Sequence, residues 1–251
     1  FCLMGAMAPV TVAGALTLQH AEALAGIALA QLARPGAPVL YGAFASNVDM
    51  RSGAPAFGTP EHLKASLASG QLARRIGLPW RGSVGTASNA PDAQGAAETS
   101  ASLWAAALGG ASLIVHAAGW LEGGLTHSYE KLILDAEMLE GFAELCAPLG
   151  AGPEEIGLDA IAEVAPGGHF FAAAHTMARY RDAFHAPLVS DTRNFGQWTD
   201  SGAPDAAARA TEIWRARLEA FRPEGVGEDR LEALDAFIAR RTVEGGAPPS
   251  D

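Results

Sequence analysis

Short apolar runs and longer stretches with helical periodicity alternate along the first 150 residues. Residues 1–6 form a run that predicts a strand, and Met7-Ala8-Pro9 a loop after it. Thr11 can cap a helix reaching about Arg34, with Leu16, Leu24, Ile27, Leu29 and Leu32 among its apolar positions and Pro35-Gly36 ending it. A second strand is expected over 38–45, and a loop over 46–58 that carries Asn47, Asp49 and Arg51. Thr59-Pro60-Glu61 is a helix start: a capping hydroxyl, a proline at the first helical position, then an acid near the positive end of the helix dipole. That helix reaches Arg75 and closes at Gly77.

The next unit is the richest in chemistry. A run over 78–84 leads into a loop of small and polar residues with Thr86, Ser88, Asn89, Asp92 and Gln94. An Ala-rich helix over 94–108 stops at Gly109-Gly110, and a run over 112–115 delivers His116, Gly119 and Trp120. Strand starts near 1, 38, 79 and 112 make four βα units, and polar strand ends of this kind form the carboxyl-terminal rim of a parallel α/β barrel. Four units do not close a barrel, so the pattern leaves an open doubly wound sheet or half of a TIM-type (β/α) barrel. A Gly-rich loop at 122–124 precedes an amphipathic helix over 128–149. Beyond it the alternation is lost. Short helices are expected over 153–164 and 176–184, an extended piece over 187–190 and two helices over 205–221 and 228–241. The domain reading is therefore four βα units over 1–150, a helical extension over 151–244 packed on them and a disordered tail over 245–251.

Composition narrows the function classes. Of 251 residues, 49% are hydrophobic and 18% charged, a globular composition with length for a sizeable core. The net charge of -11 argues against nucleic acid and anionic membranes as partners, since both require a basic footprint. Gly, Gln, His and Glu interrupt every apolar run before it reaches the length of a membrane span. Cys2 and Cys146 lie among apolar residues and are expected to be buried free thiols, as in a reducing cytoplasm. The opening FCLMGAMAPV has no charged leader and no initiating methionine, so the chain is expected to be a fragment or a processed piece.

No dinucleotide fingerprint, Walker sequence or nucleophile elbow is present, and no His, Asp or Glu spacing is specific to a metal. Gly82 to Gly85 lie within a strand, where glycine signals close packing. Asp92 has two evenly weighted readings, a cap for the following helix or a rim residue over a pocket with Asn89 and Gln94. His116 is either bonded to backbone in a core or, given its strand-end place and its neighbours Ala117-Ala118-Gly119, a functional group, which the position favours. Trp120 can cap a core or cage a cation. His127, His169 and His175 read as solvated or structural, and Trp198 and Trp214 as packing anchors.

Taken together in order, PVTVAGALTLQHAEALAGIALAQLARPGAPVLYG, NVDMRSGAPAFGTPEH, ASNAPDAQGAAE, GASLIVHAAGW, LEGGLTHSYEKLILDAEML, VAPGGHFFAAAHT and RNFGQWTDSG resemble the carboxyl-terminal half of the trimethylamine methyltransferase family. The resemblance covers nearly the whole chain. It implies half of a TIM-type barrel and, as activity, methyl transfer from a quaternary or tertiary amine to the cobalt of a corrinoid (cobalamin). That corrinoid is expected on a small partner protein, because the chain lacks the carrier signature D-x-H-x-x-G. No pyrrolysine is present, which points to the branch whose substrates include glycine betaine. The resemblance also implies, as a partner, the missing amino-terminal half or a second copy. His116 is then the expected catalytic group, and Asn47, Asp49, Thr86, Ser88, Asn89, Asp92, Gln94, Gly119 and Trp120 the residues facing amine or corrinoid. Two other readings stand beside this one: a non-catalytic half-barrel module, and a different barrel enzyme such as a lyase on a small polar substrate.

Overall fold

The computed structural model describes residues 1–222, 225 and 227–245. Two compact units are present, Phe1–Trp214 and Arg215–Asp251.

The first unit begins with parallel strands joined by helices. Strand β1 (Cys2–Met4) leads to helix α1 (Val12–Ala33), which Thr11 caps by accepting from Gly14 N at 3.2 Å. The second expected strand is broken. It forms β2 (Tyr41–Gly42) and β3 (Ala45–Val48), separated at Ala43-Phe44. The expected 46–58 loop is correspondingly shorter, since β3 turns back through a hairpin onto β4 (Pro55–Ala56). Helix α2 (Pro60–Arg75) starts as the Thr59-Pro60-Glu61 pattern requires, with Thr59 Oγ1 accepting from His62 N. Strand β5 (Trp80–Ser83), helix α3 (Ala93–Leu108) and strand β6 (Leu113–Val115) complete four strand positions.

All crossover pairings are parallel and follow chain order. β1 pairs with β3, β2 with β5, and β5 with β6, with Ser83 opposite Val115. The two sheets are therefore one strand sequence interrupted only at Ala43-Phe44. Each helix packs on the next, α1 on α2 and α2 on α3. One face of the sheet is covered by these helices. Tyr41, Trp80 and Ile114 meet Ala23 and Ile27 of α1, Leu72 and Ala73 of α2 and Ala106 of α3. Cys2, Met4 and Ala45 meet Ala15 and Ala65 in the same way. Small residues set the helix spacing: a Cβ on Gly70 would sit 2.0 Å from the Gly109 carbonyl oxygen, so only glycine lets α2 approach the end of α3 this closely. Among the described residues β6 pairs only with β5, and Leu113 on it is 46% exposed.

The Gly-rich segment after β6 forms a small hairpin that periodicity did not reveal, β7 (Trp120–Leu121) against β8 (Thr126–His127), closed by a 3-10 turn at Glu122–Gly124. Helix α4 (Tyr129–Cys146), capped by Ser128, ends sooner than the expected 149. The helix expected over 153–164 is two, α5 (Pro153–Ile156) and α6 (Leu158–Glu163), because Gly157 takes a left-handed conformation between them. Helix α7 (Ala174–Arg179) is followed by an unexpected α8 (Phe195–Asp200), and the piece at 187–190 forms no strand. Helix α9 (Ala206–Ala220) brings Ala210, Ile213 and Trp214 against Ile133, Leu134 and Val189. Glu130 of α4 accepts from Trp214 Nε1 at 2.7 Å and Thr211 Oγ1 at 3.0 Å.

The second unit holds the end of α9 and helix α10 (Glu228–Val243), whose last turn is tied by Arg241 to Glu244 at 3.1 Å. Of the tail expected to be disordered, only Gly245 is described; residues 246–251 lie outside the described residues.

Two compositional readings are corrected. Cys2 is buried, but Cys146 is exposed, because it falls in the last turn of α4 with no element over it. α1 is long and apolar enough to cross a membrane by length and composition, with a mean hydropathy of 1.3, since His20 and Glu22 are too few to lower it. In this structure α1 packs on β1 and α2, and its Gln19 donates to Ser69 of α2 at 2.9 Å.

Candidate functional site

Strand alternation creates the site. Trp80 faces the helices, and a Cβ on Gly82 would meet Ala106 and Ala111, so both residues belong to the covered face. Arg81, between them, points to the opposite face. There it lines an open cleft of about 540 Å³ with Phe44, Phe57, His116, Trp120 and the glycines of the hairpin turn.

Phe44 is the centre of the cleft wall and sits where the second strand breaks. Its ring stacks on Phe57 at 5.4 Å with an interplanar angle of 8°, and on Phe1 at 5.0 Å. Trp120 meets Phe57 edge-on at 5.8 Å and His116 at 4.2 Å. His62, 1% exposed, closes the stack from behind at 5.8 Å from Phe57. Its Nδ1 accepts from Gly58 N at 3.1 Å, and burial pushes its pKa down to about 4, so it is a neutral spacer.

His116 follows β6 directly. Its φ of 59° is in the left-handed region, a conformation that costs a non-glycine residue about 1–2 kcal/mol. That turn carries the ring back toward β5, where Nδ1 lies 2.8 Å from Ser83 Oγ. Desolvation, and then the Arg81 guanidinium, hold its pKa below 6.5, which favours the neutral imidazole. Nε2 has no hydrogen-bond partner among the described residues.

A buried ion pair holds the segment between His116 and the hairpin. Asp135 Oδ2 accepts from Gly119 N at 2.9 Å, and both Asp135 oxygens face Lys131 Nζ at 2.5 and 2.6 Å. Lys131 Nζ also donates to Thr99 Oγ1 of α3 at 2.7 Å. Burial raises the Asp135 pKa against the pull of Lys131. Gly119 has φ 83°, and a Cβ there would meet the His127 ring at 2.5 Å, so glycine is required twice over.

The other expected site residues, including those of the 88–94 loop, are not in the lining of the cleft that holds His116. The polar loop is turned inward on Glu98. That carboxylate accepts from Thr86 Oγ1, from Ala87 N at 2.8 Å, from Ser88 N at 3.0 Å and from Gln94 Nε2 at 2.8 Å. Asp92 caps α3, accepting from Gly95 N at 3.0 Å, and this bond chiefly lowers its pKa. Asn89 is exposed. Asn47 Oδ1 accepts from Thr59 Oγ1 at 2.6 Å, and Asp49 closes the β3–β4 hairpin by accepting from Ser52 Oγ and backbone N–H groups. The loop still supports the cleft, since the Thr86 and Ser88 carbonyls accept from Gly123 N at 3.0 Å and Glu122 N at 2.9 Å.

Of the expected set, His116 and Trp120 line the cleft and Gly119 lies between them. Phe44, Phe57 and Arg81 were not anticipated. Period-two alternation through Trp80-Arg81-Gly82 was the available signal for Arg81; Phe44 and Phe57 carried none, since nothing in the sequence marks the strand break.

Parallel strands in chain order, with an aromatic and imidazole-lined cleft on the face away from the helices, define a mixed α/β protein with an open cleft at its strand ends. Residues 1–246 match the family trimethylamine methyltransferase (MTTB), and the chain belongs to that family. It is 36% identical over 97% of its length to a glycine betaine methyltransferase of Desulfitobacterium hafniense strain Y51, covering 51% of that protein. It is 35% identical over 94% of its length to trimethylamine methyltransferase MttB2 of Methanosarcina mazei, covering 48% of it. A trimethylamine methyltransferase of D. hafniense strain DCB-2 is 32% identical over 99% of the chain and covered to 50%. The chain thus spans about half the length of these curated relatives.

Proposed function

We propose that the chain supplies half of a TIM-type barrel in a cytoplasmic methyltransferase that moves a methyl group from a quaternary or tertiary amine to the cobalt of a corrinoid on a small partner protein. Family membership supports the reaction class, and the sequential parallel strand order supports the half-barrel, because an open doubly wound sheet reverses its order partway. The carrying observation for the site is the wall of Phe44, Phe57 and Trp120 beside His116, in a cleft whose lining has no carboxylate. Aromatic surfaces attract onium groups without hydrogen bonds. They also exclude water, so a quaternary amine bound there loses the solvation that stabilises its charge before transfer.

In this reading the protein binds, orients and desolvates the amine while the corrinoid supplies the methyl-accepting metal. His116 holds one side of the amine, its ring fixed by Ser83. From a quaternary ammonium, or from a tertiary amine bound in its protonated form, loss of the methyl group leaves a neutral amine, so no proton needs to move in that step, which suits an imidazole kept neutral. The open sheet face and the unpaired edge of β6 await the remaining barrel strands, from the rest of the family's length or from a second copy. The same open edge favours one other reading, a non-catalytic module that binds a partner through it. Mixing the protein with cob(I)alamin and a quaternary amine separates the two. The transferase produces the methylcobalamin absorption spectrum; the module leaves the spectrum unchanged.

A further inference from the structure

Glu98, on the second turn of α3, accepts more hydrogen bonds than its helix requires. Half-buried, it takes Thr86 Oγ1, Ala87 N at 2.8 Å and Ser88 N at 3.0 Å on one oxygen, and Gln94 Nε2 at 2.8 Å on the other. Thr86 and Ser88 are buried, and buried backbone groups of a loop need partners that no strand supplies. The carbonyls of the same two residues hold the hairpin turn, accepting from Gly123 N at 3.0 Å and Glu122 N at 2.9 Å. That turn is unusual backbone. Glu122, Gly123 and Gly124 have φ of 49°, 62° and 93°, and a non-glycine residue keeps such a φ only where its surroundings enforce it. The cleft wall stands on this turn. A Cβ on Gly124 would lie 2.6 Å from the Trp120 ring and one on Gly123 3.1 Å from the Phe57 ring, so both rings rest directly on its backbone. Glu98 reaches Phe57 by a second route as well: a Cβ on Gly58 would fall 2.5 Å from Glu98 Cβ, so the neighbour of Phe57 packs on the Glu98 stem.

We propose that Glu98 is a positioning residue for the cleft. Through the 86–88 loop and the turn at Glu122–Gly124 it sets where the Trp120 and Phe57 rings stand, although it does not itself line the cleft. The placement of the rings rests on contacts within the chain; its consequence for methyl transfer rests on the amine reading above. A carboxylate suits the task, because three donors converge on one oxygen and its charge strengthens each of those bonds. Glutamine keeps an acceptor oxygen at the same reach, and alanine keeps none. A role confined to holding α3 would change stability and leave the Trp120 ring where it is. Positioning moves the ring.

The test is fluorine NMR of the protein labelled with fluorotryptophan, the Trp120 resonance being identified by its loss in Trp120→Leu. Thermal melts show which variants are folded. In Glu98→Ala the Trp120 resonance is expected to shift or broaden while those of Trp198 and Trp214 stay in place, and Glu98→Gln will bring it back toward the wild-type position. Thr11→Ala removes the cap of α1, lowers stability without touching this chain of contacts, and will leave Trp120 unchanged. Thr86→Val removes one donor to Glu98 but keeps the carbonyl that holds Gly123, so it will shift the same resonance less. A Trp120 resonance at the wild-type position in folded Glu98→Ala, or in Thr86→Val if Glu98→Ala does not fold, overturns the proposal. Methyl transfer from a quaternary amine to cob(I)alamin is expected to fall roughly 10- to 100-fold in Glu98→Ala, the effect of a misplaced binding wall. A shifted resonance with the wild-type rate overturns the consequence for catalysis. A wild type inactive in that assay overturns the transferase reading alone, since the resonances still report where the ring stands.

Discussion

Ser83 Oγ and His116 Nδ1 lie 2.8 Å apart and join the ends of two neighbouring parallel strands. Because Ser83 is in register with Val115, the left-handed turn at His116 brings the ring over its neighbour instead of along its own strand. The bond fixes which nitrogen is engaged and leaves Nε2 for a ligand. His116→Ala is expected to abolish methyl transfer with a stability change below about 1 kcal/mol, since the ring lies at the open mouth of the cleft and its one side-chain hydrogen bond among the described residues is to Ser83. Ser83→Ala will retain partial activity, as the ring loses its tether but not its place. Turnover rates and melting temperatures of both variants check this; loss of folding in His116→Ala would assign the residue a structural role instead.

Lys131 and Asp135 are almost completely buried, with side chains 2% and 4% exposed. Lys131→Met strands the Asp135 carboxylate in the interior, and unfolding in urea is expected to show a loss of about 3–5 kcal/mol. The double variant Lys131→Met/Asp135→Leu will recover much of that loss, because no charge remains buried. It will not recover activity, because Gly119 N loses the acceptor that holds the segment carrying His116 and Trp120.

His62 gives the fold a pH dependence of known sign. Its folded pKa of about 4 lies below the ordinary 6.5, so the unfolded chain binds the proton more readily between those values. Stability from this group is complete above pH 6.5 and is lost as the pH falls toward 4, by at most roughly 3 kcal/mol. His62→Gln does not titrate there. Melting temperatures from pH 7.5 to 4 are expected to fall more steeply for wild type than for His62→Gln; parallel curves would show that His62 takes up its proton as readily in the folded as in the unfolded state.

The exposed edge of β6, with Leu113 uncovered, predicts association. Sedimentation of the purified protein is expected to show a concentration-dependent dimer or larger species. A monomer persisting over a broad concentration range would favour a self-sufficient open sheet over a half-barrel.

Much of this architecture was legible in the chain. Thr11, Thr59, Asp92 and Ser128 each cap the helix they precede, because a short polar side chain before an apolar periodic run has few other uses. The site was legible only in part. Strand-end position singled out His116 and Trp120, and both are in the lining of the cleft. The same rule also singled out Asp49, Ser88 and Gln94, whose polar atoms are bonded within a hairpin, a turn and to Glu98. A polar loop looks the same in sequence whether it faces a ligand or satisfies its own backbone. Phe44 was hidden for a different reason: its place in the cleft depends on a strand break that leaves no compositional mark.

The central claim is that the cleft walled by Trp120 binds the methyl donor. It is tested most directly by methyl-transfer rates of Trp120→Leu and Trp198→Leu, each shown by its melting temperature to be folded. Trp198 packs on Phe195 and donates to the Pro204 carbonyl at 3.0 Å, outside the cleft. Selective loss of methylcobalamin formation in Trp120→Leu, with Trp198→Leu at the wild-type rate, is the predicted result; equal rates in the two variants would contradict the account.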